Sequence, residues 1–463
     1  MSVPFGILNK TSCPGIRPAA FFKSIGMQLS LFENTIKQPI ELYDLFEAYF
    51  ACRRNKRKTI NALAFEVDFE KNLIQLWEGI NNGTYEIARS IAFIIKKPVK
   101  REIFAADFRD RIVHHLLIGK LNPLFEKQFI YDSYACRVGK GTHFGIQRVD
   151  RFIRRCSQNY TKDCYVLKLD IHGFFMHIHK KILYSRLEQF IRKNYNRPDK
   201  QIILELCQKV VFNDPAENCI LKGSQSDWEG LPKSKSLFHS PPDCGLPIGN
   251  LTSQVFANFY MDPFDHFIKH DLGIKYYGRY VDDFILVHSD KNYLKAILPR
   301  IAGFLNNNLN LNLHPKKIYL QHYSKGVKFL GVVIKPNRIY VGKRIKANFY
   351  DAIKRQSQLA MDHKPGSEEL TRFLSSMNSY LGIMKHYQSY RIRKKMLFKN
   401  LSVWWWNLVY LSGGVAKFVR KKRRSKKPPK YTDQKYSYLT MQQLNSSIYS
   451  KKFCLATPIS NIE

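Results

Sequence analysis

Apolar positions along the chain recur at two periods, and each period predicts a kind of element. Spacings of three and four residues predict helices at residues 41–49, 65–86, 108–125, 182–192, 251–266 and 297–309. In the 108–125 window, Ile112, Val113, Leu116, Leu117 and Leu121 share one face. The 65–86 helix ends at Asn81-Asn82-Gly83. Runs rich in β-branched and aromatic residues predict strands at 91–95, 166–171, 276–281 and 284–287. Residues 327–334 and 338–341 predict a further hairpin through Pro336-Asn337, and 345–411 reads as mostly helical. Residues 214–243 are polar and rich in Pro, Ser and Gly, the composition of a long surface insertion. The weakly patterned C-terminal stretch is expected to be disordered. No internal repeat interrupts this order.

Two of the predicted strands meet at a pair of acids, Asp282 and Asp283. Asp is common in turns because it tolerates turn conformations and bonds its own backbone, so a solvated turn is one reading. Between buried strands, however, two carboxylates are costly unless a cation neutralises them. A third acid, Asp170, ends the alternating run Tyr165-Val166-Leu167-Lys168-Leu169 and precedes Gly173, Phe174 and Phe175. Antiparallel elements brought side by side would hold the three carboxylates together. Two Mg²⁺ ions ~4 Å apart could then be bridged, as phosphoryl transfer requires. One ion would activate a 3′-hydroxyl and the other would stabilise leaving pyrophosphate.

Composition narrows the partner. The 463 residues allow two to four domains, and 44% hydrophobic with 14% aromatic residues can bury a large core. A net charge of +38 calls for a polyanion: nucleic acid first, an anionic membrane second. No run of about 18 apolar residues is present, so no transmembrane helix is expected. Residues 1–10 lack the charged and apolar regions of a signal peptide. The nine cysteines show no CxxC pair and fit a reduced, cytoplasmic protein.

The ordered motifs resemble those of reverse transcriptases. Tyr280-Val281-Asp282-Asp283 resembles their Tyr-x-Asp-Asp box, and Asp170-Ile171-His172-Gly173-Phe174-Phe175 their first catalytic motif. The motif between these two is matched by Gly245-Leu246-Pro247-Ile248-Gly249-Asn250-Leu251-Thr252-Ser253-Gln254. Lys97-Pro98-Val99-Lys100-Arg101 and Asp107-Phe108-Arg109-Asp110-Arg111 look like the fingers motif. Ser133-Tyr134-Ala135-Cys136-Arg137 and Phe329-Leu330-Gly331 match the fingers-to-palm and grip motifs. The resemblance covers roughly residues 60–335, and six motifs in order are far more specific than any one. It implies an α+β right-hand polymerase with an antiparallel-sheet palm and a helical thumb. On that pattern the chain divides into an N-terminal extension (1–55), fingers (56–160), palm (161–335, with the 214–243 insertion), thumb (336–411) and basic tail (412–463).

The resemblance also implies roles. Asp170, Asp282 and Asp283 fall on the catalytic carboxylates, with the Ile171 carbonyl as a further metal ligand. The cofactor would be two Mg²⁺ ions, for which Mn²⁺ could substitute. Phe175, beside Phe174, falls on the gate that crowds a ribose 2′-hydroxyl; the alternative is a core aromatic. Lys97 and Arg101 fall near positions that hold the triphosphate, with Lys96 and Lys100 close by. Ile248 and Gly249 fall in the dNTP pocket, and Gln254 beside the template–primer. Lys317 resembles a lysine that protonates leaving pyrophosphate; the alternative is a solvated turn lysine. Arg137 serves either phosphate binding or structure.

One departure matters: many reverse transcriptases carry Gln-Gly where this chain has Ile248-Gly249. The form resembles bacterial diversity-generating retroelement and defence-associated enzymes, and in the former it accompanies error-prone copying. Basic and aromatic residues interleave at 386–395, where Arg391, Arg393 and Lys394 would meet phosphates. Nine of fourteen residues at 417–430 are Lys or Arg, including Lys421 and Arg423, a candidate RNA-binding arm. Trp404-Trp405-Trp406 reads as packing or a protein interface, and a tail tyrosine (Tyr431, Tyr436, Tyr438 or Tyr449) could prime synthesis.

The expected partners are a cognate noncoding RNA template, its cDNA product and dNTPs, with a homo-oligomer possible and no membrane. The leading expectation is an antiphage RNA-directed DNA polymerase. An error-prone retroelement enzyme and a non-catalytic RNA-binding splicing cofactor are the alternatives.

Overall fold

The computed structural model describes residues 39–54, 59–96 and 99–421. Lys97, Arg423 and the tail tyrosines lie outside the described residues, as does most of the basic run.

Helices α1 (Leu42–Arg53), α2 (Ile60–Val67) and α3 (Phe69–Asn81) come first. The continuous helix expected over 65–86 is two helices, broken at Asp68, whose backbone leaves the helical region (φ −127°, ψ 51°). Strands β1 (Ser90–Ile95) and β2 (Arg101–Ala105) form an antiparallel hairpin. The long α4 (Phe108–Gln128) follows, capped where the Asp107 carboxylate accepts from the Arg109 amide at 2.9 Å. After α5 (Thr142–Cys156), β3 (Tyr165–Asp170) runs into the single-turn α6 (Phe174–His177). Helices α7 (Lys180–Asn194) and α8 (Lys200–Phe212) lead to the short β4 (Cys219–Leu221). Next comes α9 (Leu251–His266), buried nearly all round, with Asn258, Asp262 and Asp265 among its buried residues. The hairpin β5 (Tyr276–Tyr280) and β6 (Asp283–His288) follows, then α10 (Lys291–Ala296), α11 (Leu298–Leu309) and β7 (Tyr319–His322).

The central sheet has the order β5-β6-β3-β7, with every neighbour antiparallel. Its two faces divide the core by simple alternation. Leu167 and Leu169 of β3 join Phe284 and Leu286 of β6 in a cluster with the N-terminal helices and α9. Val166, Ile285 and Val287 face the other way, into a cluster built with the C-terminal helices. By the same alternation, Lys168 and Asp170 share the second face with Val166.

The run 327–334, expected as one strand, is two. Leu330 and Gly331 take positive φ (44° and 88°), and the chain turns between β8 (Val327–Phe329) and β9 (Val332–Lys335). With β10 (Arg338–Val341) they make a three-stranded meander. Helices α12 (Lys343–Asp362), α13 (Ser367–Met384), α14 (Tyr390–Asn400) and α15 (Val403–Leu408) form the helical region. It closes with a hairpin, β11 (Val409–Ser412) and β12 (Lys417–Arg420), that the helical expectation did not contain. The basic run therefore starts inside a strand: Phe418 is buried, its amide bonding the Asn378 side chain at 2.6 Å. Trp405 is fully buried and stacks on Phe373 at 4.1 Å, so the tryptophan triplet is anchored by packing. Trp404 stays 46% exposed.

The 214–243 segment is no mere surface insertion. β4 adds to β1 as a parallel third strand, and Ser236 and Leu237 are buried. Seven cysteines are free among the described residues. Among the described residues, no helix is long and apolar enough to cross a membrane.

Candidate active site

Register places the acids. In the β3–β6 ladder Asp170 stands directly opposite Asp283, and Asp282 occupies the turn that joins β6 to β5. Like charges directly opposite each other on a sheet are destabilising, so this pairing calls for cations. Two lysines answer part of the demand: Lys317 Nζ lies 2.7 Å from Asp170 Oδ1, and Lys168 Nζ 3.0 Å from Asp283 Oδ1. The Lys168 contact is an ion pair only, since that Asp283 oxygen is buried without a well-aligned hydrogen bond. Asp282 has no salt-bridge partner among the described residues. Burial holds its carboxyl above the ordinary range, and the charge of Asp170 adds to this. Burial also pushes Asp283 up to about 6, against the pull of Lys168.

The turn itself is held in an unfavourable conformation. Val281 has φ 57°, a left-handed value that a β-branched residue rarely adopts. Arg279, fully buried in β5, donates from Nη1 to the Val281 carbonyl at 3.0 Å. Its guanidinium is gripped by Asp265 of α9 through two bonds, 2.7 Å from Nε and 2.6 Å from Nη2. Tyr277 donates to the same carboxylate at 2.6 Å. Gly278 beside it is required by packing, since a Cβ there would fall 2.1 Å from the Tyr134 hydroxyl. Sequence reasoning passed over both Arg279 and Asp265. The available signal was a lone arginine within an otherwise apolar and aromatic strand.

The β1–β2 hairpin faces the acids. Arg101 is half-buried, and burial lowers its basicity while Asp282 opposes that shift. The Gly245–Gln254 stretch is zipped to β2: the Phe104 amide bonds the Ile248 carbonyl at 2.9 Å, and the Ala106 amide bonds Asn250 Oδ1 at 3.2 Å. Gly249 must be glycine, because φ is 133° and a Cβ would lie 2.9 Å from the Phe104 carbonyl oxygen. Across this seam, Phe175 and Ile248 are half-buried against one small apolar cluster, whereas Phe174 is buried in the main core. The Leu246 amide bonds the Phe175 carbonyl at 2.8 Å. The Ile171 side chain is buried and has no ligating atom, so a metal could meet this residue only through its backbone carbonyl.

Three predicted binding residues are otherwise engaged. Arg137 is buried, bonded to Glu126 at 2.7 Å and to the carbonyls of Ile130 and Ser133, which leaves its structural role. Arg393 is likewise buried, donating to Ser389 Oγ and the Val415 carbonyl, so it is no phosphate contact. Gln254 accepts from the Cys136 thiol at 2.9 Å. Arg391 and Lys421 are exposed, and Lys394 is half-exposed.

Among the described residues, no three His, Cys, Asp or Glu side chains close around an ion on their own. A hard divalent ion needs no such cage, because Mg²⁺ commonly takes one or two carboxylates plus substrate phosphates and water. An unpaired Asp282 and an Asp283 oxygen without a hydrogen bond suit that chemistry.

An antiparallel sheet with acids at its hairpin tip, flanked by a β-hairpin and a helical region, is an α+β right-hand polymerase fold. The family model described as reverse transcriptase (RNA-dependent DNA polymerase) matches residues 95–334, just over half the chain. The chain belongs to the reverse transcriptase family, whose members generally use divalent metal ions. Protein YkfC of Escherichia coli (strain K12) is 23% identical over 256 residues, covering 48% of this chain and 60% of that protein. A telomerase structure from Candida albicans, in complex with a fragment of telomeric RNA, is 13% identical with a TM-score of 0.39. It covers 71% of this chain and 60% of that one. Apo telomerase from Candida tropicalis is 13% identical with a TM-score of 0.43, covering 68% and 60%. The chain thus spans about 60% of the length of these relatives.

Proposed function

We propose that this chain is an RNA-directed DNA polymerase that copies a cognate noncoding RNA into cDNA in the bacterial cytoplasm, as part of an antiphage system. The observation that carries the catalytic reading is the cross-strand pairing of Asp170 with Asp283 next to the half-buried Asp282. Asp170, Asp282, Asp283 and the Ile171 carbonyl would hold two Mg²⁺ ions, with Mn²⁺ able to substitute. When bound, such ions supply an activated 3′-hydroxyl and neutralise the departing pyrophosphate.

The chain's own residues do the rest. Arg101, with Lys97, binds the triphosphate through charge-assisted contacts. Phe175 excludes a 2′-hydroxyl by bulk, which favours dNTPs. Ile248 and Gly249 line the nascent pair. Lys317 gives a proton to the leaving group, a reading supported by its ammonium lying 2.7 Å from Asp170. Arg391, Lys394 and Lys421 meet template or product phosphates, and the net charge of +38 draws RNA in.

A second reading, an error-prone retroelement enzyme, is favoured by one residue. Ile248 offers no side-chain hydrogen bond where many relatives carry Gln. Primer extension on an RNA template, with sequencing of the nucleic acid that co-purifies, tests the proposal. Template-dependent dNTP incorporation and one recurrent RNA are expected. RNA binding without incorporation would favour the splicing-cofactor reading instead.

A further inference from the structure

The 214–243 segment is tied to the nucleotide pocket from two sides, and the ties converge on one buried acid. Along β2 the side chains alternate, so Arg101 and Glu102 point to opposite faces. Arg101 is on the side of Asp282, whereas Glu102 is 1% exposed. All three donors to the Glu102 carboxylate come from the segment, two side chains and one backbone amide: Trp228 Nε1 at 2.7 Å, Ser236 Oγ at 2.8 Å and the Leu237 amide at 2.5 Å. Satisfied in this way, Glu102 needs no cation and works as a structural clasp. Two outer ties reinforce it. Lys96 pairs with Asp227 at 2.6 Å, and the Lys100 ammonium bonds the Glu229 carbonyl. Lys96 and Lys100, close to the expected triphosphate position, are thereby turned towards the segment, whereas Arg101 is on the side of the acids.

The same segment also backs the sugar side of the pocket. Leu237 and Trp228 pack in one apolar cluster with Phe104, Met176, Phe175 and Ile248. Its backbone closes on the turn after Asp170: at Gly173 (φ 55°) a Cβ would lie 3.0 Å from the Ser234 carbonyl oxygen. One stretch of chain therefore fixes both the hairpin that carries Arg101 and the turn that carries Phe175.

We infer that residues 214–243 form a buttress that sets nucleotide affinity and sugar selectivity, with Glu102 and Trp228 as positioning residues. This rests on the dNTP-pocket reading above. The gap between Arg101 and Phe175 is then held by the clasp, and loosening the clasp shifts both walls without removing any group that touches substrate.

Trp228→Phe removes one donor while keeping an aromatic ring in the cluster, and Glu102→Gln puts a non-accepting amide nitrogen against either the Leu237 amide or the Trp228 and Ser236 donors. Steady-state incorporation of dNTPs and rNTPs is measured with wild type and both variants on one primer–RNA template. Both variants are expected to raise KM for dNTP at least threefold, with kcat changing by less than twofold. Their preference for dNTP over rNTP should fall at least threefold, while RNA affinity stays within twofold of wild type. Ser236→Ala, smaller and buried at the clasp, should reproduce the shift if Glu102→Gln misfolds. Unchanged KM and sugar preference in folded Trp228→Phe and Ser236→Ala would overturn the buttress while leaving the polymerase intact. Wild type that incorporates no nucleotide would overturn the polymerase reading, and the buttress with it.

Discussion

Replacing Asp265 by Asn should separate the scaffold of the acidic turn from its chemistry. Arg279 is fully buried, and Asp265 is its sole salt-bridge partner among the described residues, at 2.6 Å. Asp265→Asn keeps the shape but leaves a guanidinium in the core without a countercharge. Breaking a buried pair from one side costs about 3–5 kcal/mol. The Tyr277 hydroxyl loses a charged acceptor as well. Urea denaturation should therefore show a loss of that size. An apolar double variant, Asp265→Leu with Arg279→Met, removes both charges and should recover most of the stability. It cannot restore the bond to the Val281 carbonyl, so the strained turn relaxes and the acids move. Misplacement on the scale of 1 Å can lower a rate about 100-fold. The double variant should thus be near wild type in stability but at least about tenfold slower in primer extension. A loss below about 1 kcal/mol for Asp265→Asn, or full activity in the stable double variant, would refute the scaffold role of Arg279.

Phe175→Val should widen the sugar side of the pocket and lower discrimination against rNTPs by about tenfold or more in competition assays. An unchanged ratio would return Phe175 to a packing role. Ile248→Gln should lower misincorporation relative to wild type; equally high fidelity in both would remove the error-prone reading. His114 is buried, its Nδ1 unpartnered, and burial depresses its pKa to about 3. A depressed imidazole is neutral in the fold but charged in the unfolded chain below pH 6.5, so its contribution falls as pH drops. The loss is about 1.4 kcal/mol per unit between pH 6.5 and 3. Asp110, raised to about 6 by burial, acts in the opposite direction, so the comparison must be made with His114→Gln. That variant should flatten the acid limb of a denaturation-versus-pH curve.

Local periodicity made the central sheet and its acids readable in the chain. Alternation in β3 and in the 276–287 run fixes which side chains share a face, and short-range rules suffice for that. The break at Leu330-Gly331 escaped because apolar content alone cannot distinguish one strand from two joined by a tight turn. Charge misled at Arg393 and left Arg137 undecided. A sequence shows that a residue is basic but not that Glu126 or a buried carbonyl already engages it. The clasp at Glu102 was invisible for a topological reason. Its donors are 126 to 135 positions away, and the polar composition of 214–243 resembles an ordinary loop. Arg279 was missed because its partner Asp265 sits on a helix 14 positions earlier, outside any local motif.

The most direct measurement is dNTP incorporation by Asp282→Asn on an RNA template, alongside RNA binding by the same variant. Asp282 is the acid without a lysine partner, so removing its charge disturbs no salt bridge among the described residues. Incorporation should fall to background while RNA affinity and the unfolding midpoint stay at or above wild-type values. Incorporation at the wild-type rate would contradict a catalytic role for the acids at this hairpin tip.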